Sequence, residues 1–426
     1  MVGEFWRRGF WFVSPYNFVD DVRRGFQLPE RVIIHDTTLR DGEQQPGIVF
    51  RKDDKLRIAM ALDEAGVDRI EAGMPAVSQD DLEAVKAIAK QGLRAMVMAF
   101  VRCLKSDVDY ALKADVPGVV MELPSSTHLI QHAYRWDIDK AISRAVEAVE
   151  YAKSHGLYVT FFTIDATRSD MEFLRKVIGA VHDRMDSLTV ADTLGTSLPW
   201  AYQYFISQLR GFVRRPIEVH THNDFGMAVA NAIAGVIAGA TTVHVTVNGI
   251  GERSGNAALE EVVMALELLL GVKTNVKLDK LAELSRLVQE LSGVRVVPQK
   301  AVVGDNIFRI ESGIVAEWWV NASQVDPSIA IPYIPKLVGR EGVEIILGKK
   351  SGKANIQYWL DRLGLKASDE DVTAILNEVK SRSIAKKGPL TIEEFKAIGN
   401  KYINKLKNTN QKTTNIQGIT NEVKVT

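Results

Sequence analysis

Glu218-Val-His-Thr-His-Asn-Asp224 joins a β-rich run to a group of polar residues, and this arrangement decides the fold. In a β-strand, residues i and i+2 point to the same side, so the imidazoles of His220 and His222 face the same way. Polar side chains that follow the carboxyl end of a strand are typical of barrels built from parallel strands. The stretch therefore predicts one strand of a parallel sheet, with a group of functional side chains at its end.

Seven further β-rich runs alternate with helical stretches between residues 31 and 275. The eight predicted strands are Val32–Ile34, Arg69–Glu71, Met96–Phe100, Gly118–Glu122, Tyr158–Ile164, Ser187–Ala191, Glu218–Thr221 and Thr242–Val245. A representative helix is predicted from Asp137 to Ser154, with Gly156 as its stop. Eight such units predict an α/β protein with a (β/α)8 TIM barrel. A doubly wound open sheet is the alternative, but it accounts less well for eight units and for the polar strand ends.

The composition excludes several classes of function. The 426 residues are 46% hydrophobic and 25% charged, which is ordinary for a soluble globular protein. Lysine plus arginine equals aspartate plus glutamate at 53 each, so nucleic acid is not expected as a partner. No apolar run approaches the roughly 20 residues of a membrane span. The single cysteine, Cys103, fits a reducing cytoplasm, and we expect a cytoplasmic protein.

Four segments are predicted along the chain. Residues 1–30 form an aromatic N-terminal extension, 31–275 the barrel, 276–407 a linker and mainly helical subdomain, and 408–426 a polar tail expected to be disordered. Within the subdomain, helices are predicted near 278–292, 353–363, 368–386 and 391–406, whereas the stretch 298–352 is predicted to be irregular. Thr391 and Glu394 form a capping box at the start of the last helix.

Three segments at predicted strand ends carry the residues of a metal site. His220 and His222 offer two nitrogens, Asp41 offers a carboxylate, and Asn256 offers a weaker oxygen ligand. These ligands with open positions suit Zn, Mn, Mg or Co, and the sequence does not choose among them. Arg40, beside Asp41, would stabilise an oxyanion that develops on a bound carbonyl group. Each motif alone would also fit a structural role, but their shared position favours a metal centre.

The same segments resemble the DRE-TIM metallolyase superfamily. They are His35-Asp-Thr-Thr-Leu-Arg-Asp-Gly-Glu-Gln-Gln45, His220-Thr-His-Asn-Asp-Phe-Gly226 and Asn248-Gly-Ile-Gly-Glu-Arg-Ser-Gly-Asn256. More narrowly, the chain resembles the α-isopropylmalate, homocitrate and citramalate synthases. The resemblance covers residues 31–363 and includes two later segments, Tyr333-Ile-Pro-Lys-Leu-Val-Gly-Arg340 and Leu347-Gly-Lys-Lys-Ser-Gly-Lys353.

This resemblance implies a metal-dependent acyltransferase that condenses acetyl-CoA, or a similar acyl-CoA, with an α-keto acid to give a 2-hydroxy-2-alkyl diacid. It also implies a homodimer with exchanged linker subdomains. The implied metal ligands are Asp41, His220, His222 and Asn256. Arg40 would polarise the keto oxygen. The implied substrate-binding residues are Gln44, Glu71 and Thr193, with Arg102 as a further candidate, and Gly251, Gly255 and Asn256 would shape the CoA side.

Two departures from the family pattern concern proton transfer. Ile310 and Val315 stand where the linker of the family carries histidines, and Ile164 replaces a glutamate at the end of the fifth strand. Alkyl groups cannot act as general acids or bases. Three explanations stay open. Glu311, Tyr333 or a metal-bound water takes over and a synthase survives; the metal serves retro-aldol or retro-Claisen cleavage; or the chain is a weakly active metabolite-binding paralogue.

The substrate is expected to be an α-keto acid with an apolar side chain. Leu104 stands where homocitrate synthases carry a histidine near the distal carboxylate of 2-oxoglutarate. Without that polar partner, burial of a second carboxylate is unfavourable. Too little chain follows residue 363 for the additional domain of the leucine-regulated synthases, so end-product regulation through such a domain is not expected.

Overall fold

The computed structural model describes residues 4–403, and eight parallel strands form a closed barrel within this range. The strands are β1 (Ile33–Asp36), β2 (Arg69–Glu71), β3 (Met96–Arg102), β4 (Gly118–Pro124), β5 (Tyr158–Ile164), β6 (Ser187–Asp192), β7 (Ile217–Thr221) and β8 (Thr242–Val245). Each strand pairs with the next, and β8 pairs with β1, Thr242 lying opposite Ile33. The predicted TIM barrel is confirmed. The tail predicted at 408–426 lies outside the described residues.

Helices follow the strands and pack on the barrel through apolar faces. They are α1 (Lys52–Ala65), α2 (Gln79–Ala89), α3 (Lys105–Lys113), α4 (Ile138–Ser154), α5 (Met171–Val181), α6 (Pro199–Arg210), α7 (Ala228–Ile237) and α8 (Leu259–Met264). Helix α4 begins after Asp137, whose carboxylate accepts a hydrogen bond from the Lys140 N–H, and it buries Ala145 and Val149. The helix predicted there is confirmed. Among residues 4–403, no helix has both the length and the hydropathy needed to cross a bilayer.

A buried polar network occupies the barrel interior one layer below His220. Glu218 Oε1 accepts a hydrogen bond from Arg69 Nη1 at 2.6 Å, and Glu218 Oε2 lies 2.8 Å from His244 Nε2. The His244 ring stacks on the His35 ring with centroids 4.1 Å apart. Burial alone would raise the pKa of Glu218, but Arg69 and His244 hold it well below its usual value. The network is therefore built around a buried carboxylate that stays ionised.

The chain separates into two compact units after Gly304, later than the boundary predicted at 275. The barrel unit runs from Val13 to Gly304 and includes α9 (Leu281–Ser292), which packs on α1. The second unit begins at Asp305 and also takes in Trp6–Phe12, a two-stranded hairpin from the predicted N-terminal extension. Contacts made across long sequence distances, which composition does not reveal, set these limits.

The second unit is mainly helical. It contains α10 (Gly313–Ala322), α11 (Lys353–Arg362), α12 (Asp369–Lys386) and a helical stretch at 392–403. The prediction that 298–352 is irregular was wrong for α10, because Ala316 is buried there against Ile310 and Ile345. The capping box is confirmed: the Thr391 N–H donates to Glu394, and the Glu394 N–H donates to the Thr391 hydroxyl.

Candidate metal centre

Asp41, His220 and His222 meet at the carboxyl ends of β1 and β7, and all three side chains are buried. The Nε2 atoms of the two imidazoles are 3.2 Å apart. Asp41 Oδ2 lies 3.2 Å from His220 Nε2 and 3.7 Å from His222 Nε2. Ligands about 2.0–2.2 Å from one ion stand about 3–3.6 Å apart in tetrahedral or octahedral geometry. The three atoms therefore have the spacing of ligands on a single divalent ion.

The protonation states of these groups also suit a metal. Burial lowers the pKa of His222 to about 4, and burial lowers the pKa of His220 although Asp41 opposes that shift. Burial alone would raise the pKa of Asp41, but Arg40 and His220 hold it well below its usual value. At neutral pH the cluster contains two neutral imidazoles and a carboxylate, which is the state that metal ligands require.

Asn256 completes this group from the loop after β8. Its Nδ2 donates to Asp41 Oδ1 at 3.1 Å and to the Ile250 carbonyl at 3.2 Å. Its Oδ1 is buried, and no donor in the described part of the chain reaches it. A buried acceptor without a partner costs about 1–3 kcal/mol, which a bound cation would offset. Asp41, His220, His222 and Asn256 thus fit a divalent metal ion.

Two glycines hold the loop close to this cluster. A Cβ atom at Gly251 would lie 2.2 Å from Asn256 Nδ2, and one at Gly255 would lie 1.8 Å from the Gly249 carbonyl oxygen. Gly255 also has a φ of +81°, which favours glycine. The two glycines therefore position Asn256, and their predicted role on the CoA side stays a prediction.

Arg40 lies beside the cluster with one donor unused. It donates to Glu71 and, through Nη1, to Asp41 Oδ2 at 2.9 Å, while its guanidinium carbon lies 4.1 Å from the centre of the Phe100 ring. Its Nη2 is buried and finds no acceptor among residues 4–403. Burial alone would raise the pKa of Glu71, but Arg40 and His35 lower it to about 2. The ionised Glu71 therefore holds the Arg40 side chain in place. Glu71 does not line the cavity that opens onto the metal cluster.

A cavity of about 210 Å³ opens onto the cluster. It is lined by Arg40, Asp41, Gln44, Met74, Phe100, Glu122, Phe162, Ile164, Thr193, His220, His222, Glu252 and Arg253. Two predicted substrate-binding residues, Gln44 and Thr193, are present. The Thr193 hydroxyl oxygen accepts a hydrogen bond from the Asp165 N–H at 2.8 Å, which fixes the side chain at the rim of β6.

Other predicted residues lie elsewhere. The guanidinium of Arg102 is half exposed and binds both oxygens of Asp107, at 2.8 and 3.0 Å, rather than lining the cavity. Leu104 lines a separate cavity of about 450 Å³. Glu311 and Tyr333 belong to the second unit. There Glu311 Oε1 accepts from the Lys350 N–H at 3.0 Å, and the Tyr333 ring packs edge-on against Phe308.

Apart from Ile164, the sequence did not single out the apolar wall of the cavity. Met74 follows β2, Phe100 lies on β3, and Phe162 and Ile164 lie on β5, and these side chains pack together in one apolar cluster. For Phe100 and Phe162, the signal was the two-residue alternation of inward positions within the predicted strands, whereas Met74 lies beyond the predicted strand Arg69–Glu71.

Comparison with known proteins decides the family. The HMGL-like family model matches residues 31–288, more than half of the chain. The chain belongs to the HMGL-like family. This membership confirms the resemblance to the DRE-TIM metallolyases.

Several relatives of this HMGL-like protein are named as synthases. A homocitrate synthase of Methanopyrus kandleri is 46% identical over 369 residues, covering 86% of this chain and 91% of the relative. A probable 2-isopropylmalate synthase of Ignicoccus hospitalis is 47% identical over 355 residues, covering 83% and 88%. An (R)-citramalate synthase of Methanocaldococcus jannaschii is 45% identical over 355 residues, covering 82% and 70%. These names agree with the synthase group that the sequence resembles.

Solved structures confirm the barrel. The hydroxymethylglutaryl-CoA lyase from Pseudomonas aeruginosa is similar with a TM-score of 0.58 at 23% sequence identity, and the match covers 63% of this chain and 95% of the lyase. At this identity the similarity concerns the fold alone.

Proposed function

We propose that this HMGL-like protein is an acyltransferase that condenses acetyl-CoA with an α-keto acid to a 2-hydroxy-2-alkyl diacid. The observation that carries the proposal is the ligand-spaced cluster of Asp41, His220 and His222 beside an Arg40 with an unused donor. The names of the synthase relatives support the same reaction.

In this proposal, the keto acid binds in the 210 Å³ cavity beside the metal centre. Asp41, His220, His222 and Asn256 would hold a divalent ion (Zn, Mn, Mg or Co), which when bound supplies positive charge next to the keto group. Arg40 Nη2 donates a hydrogen bond to the keto oxygen and stabilises its charge as the new bond forms. Gln44 and Thr193, which also line the cavity, orient the substrate carboxylate.

The cavity supports a small keto acid with an apolar side chain. Its volume of about 210 Å³ is small, and Met74, Phe100, Phe162 and Ile164 form an apolar wall. Glu122 adds a carboxylate to this lining, which disfavours a second carboxylate on the substrate. Leu104, from which an apolar substrate side chain was first predicted, lies outside this cavity. The proposal of an apolar side chain therefore depends on the residues that line the cavity.

CoA is proposed to bind in a second cavity, next to Asn256. This cavity of about 340 Å³ in the barrel unit is lined by Asn256, Gly249, Arg295 and Lys300, among others. Cationic side chains of this kind suit the phosphates of CoA. Once the C–C bond has formed, water hydrolyses the thioester and free CoA leaves.

The cellular location and the oligomeric state of the enzyme are proposed on separate grounds. A cytoplasmic location agrees with a single cysteine, Cys103, which is buried and unpaired. A homodimer with exchanged linker subdomains is implied by the family resemblance. The exposed aromatic side chains Trp6, Phe12 and Tyr16 would extend such an interface.

Release of CoA thiol from acetyl-CoA tests the proposed reaction. We expect release with pyruvate or 2-oxoisovalerate that exceeds release with 2-oxoglutarate, that stops after chelation, and that returns when a divalent metal is added. No release with any of these keto acids, under all four metals, would contradict the proposal. Cleavage of 2-hydroxy diacids in the same preparation would instead support the lyase alternative.

A further inference from the structure

The cavity lacks a proton-transfer group where the synthase pattern would place one, because Ile164 ends β5. Strand β4 runs beside β5, and Pro124 pairs with Ile164 while Glu122 pairs with Phe162. Glu122, Phe162 and Ile164 all line the 210 Å³ cavity. A carboxylate therefore enters the same space from the neighbouring strand.

The other carboxylates of the cavity lining are already engaged. Asp41 accepts hydrogen bonds from Arg40 and Asn256 and lies against both histidines. Glu252 is half exposed and pairs with Arg253 at 3.3 Å. Glu122 is half-buried, and its carboxylate has no hydrogen-bond or ion-pair partner within residues 4–403. Of the three acids, Glu122 alone is free to exchange a proton with a bound substrate.

The surroundings of Glu122 suit proton exchange near neutral pH. Burial raises the pKa of Glu122 to about 7, with Asp107 and Glu71 adding to the rise and Arg40 and Arg102 opposing it. A catalytic group works best when its pKa lies near the operating pH, because it is then both a competent base and a competent acid.

We propose that Glu122 is the general base and acid of the condensation. This assignment rests on the proposed function. The Glu122 carboxylate takes a proton from the methyl group of acetyl-CoA, and the C–H electron pair forms the new C–C bond to the keto carbon. The carbonyl π pair moves onto the keto oxygen, which receives the proton back from Glu122. No other oxidant, reductant or acid is needed.

The test compares Glu122→Gln, which keeps the size but removes the proton-accepting oxygen, with Glu122→Asp, which keeps the carboxylate. We expect E122Q to lower kcat for CoA release by about 10²–10⁴-fold, with the KM for the keto acid changed by no more than about threefold. The acidic limb of the wild-type kcat/KM profile, near pH 7, should persist in E122D and vanish from the residual activity of E122Q. Glu172→Gln, an exposed carboxylate on α5 paired with Lys176, is the matched control and should leave kcat unchanged.

Three outcomes would overturn the assignment. An active wild type with an E122Q variant that keeps kcat within about threefold would show that the proton moves elsewhere, and only the role of Glu122 would fail. A fall in bound metal or in folded fraction that accounts for the loss in both variants would show a structural role. A wild type that releases no CoA at all would contradict the proposed function together with the assignment.

Discussion

Replacement of Arg69 by methionine is expected to destabilise the barrel strongly, because it leaves a buried charge without its partner. Glu218 is fully buried, and the Arg69 Nη1 atom lies 2.6 Å from its Oε1. Arg69 Nη2 also donates to the Tyr158 hydroxyl at 3.1 Å. Removing one member of a buried ion pair costs about 3–5 kcal/mol. At roughly 2 °C per kcal/mol for a unit of this size, the barrel Tm should fall by about 6–10 °C.

Thermal unfolding followed by circular dichroism measures this change. The double variant R69M/E218Q removes both charges, so its cost should be clearly smaller than the sum of the two single variants. Arg184→Met is the control, since Arg184 pairs with Glu150 at 2.8 Å but both side chains are nearly half exposed. Such surface pairs contribute at most about 1 kcal/mol. The buried-pair account is refuted if R69M lowers the stability no more than R184M does. It is also refuted if the destabilisation of the double variant equals the sum of the two single variants.

Three further predictions concern other parts of the chain. Burial lowers the pKa of His244 to about 4, below its unfolded value near 6.5. Between these pH values the unfolded chain therefore binds more protons than the folded protein. The free energy of unfolding, measured by urea denaturation, should fall by about 3 kcal/mol as the pH drops from 6.5 to 4. Gly255→Ala should disturb the loop that carries Asn256, because the new Cβ would overlap the Gly249 carbonyl; metal affinity measured by calorimetry should fall, and unchanged affinity would contradict the role given to this glycine. Ser368→Ala should destabilise the second unit by about 1 kcal/mol in urea, because Ser368 caps α12 by accepting from the Asp371 N–H.

The barrel and the metal cluster were predictable because each rests on a local pattern. Eight β-rich runs at regular spacing fix the strands, and residues at the strand ends must converge at one rim. His220 lies on β7 and His222 directly follows its last residue, so the strand period brings their imidazoles together without knowledge of any distant contact. Their neighbours Asp41 and Asn256 follow from the closure of β8 on β1.

Other features were not predictable because they depend on contacts between distant segments. Arg102 ends β3, beyond the predicted strand end at Phe100, and Asp107 on α3 binds its guanidinium, which does not line the cavity. Helix α10 was missed because Gly313 and β-branched residues disfavour helix, and packing around Ala316 overrides that local preference. The buried Arg69–Glu218 pair combines residues from β2 and β7, which no single sequence window contains.

Measurement of bound metal and of keto-acid binding in the same samples tests the central claim most directly. Wild-type protein should bind one divalent ion per chain, and 2-oxoisovalerate should bind only when that ion is present. His220→Ala should lose the ion and the keto-acid binding together, whereas His155→Ala, which changes an exposed histidine, should keep both. Full metal content and unchanged keto-acid binding in H220A would contradict the placement of the metal centre at Asp41, His220, His222 and Asn256.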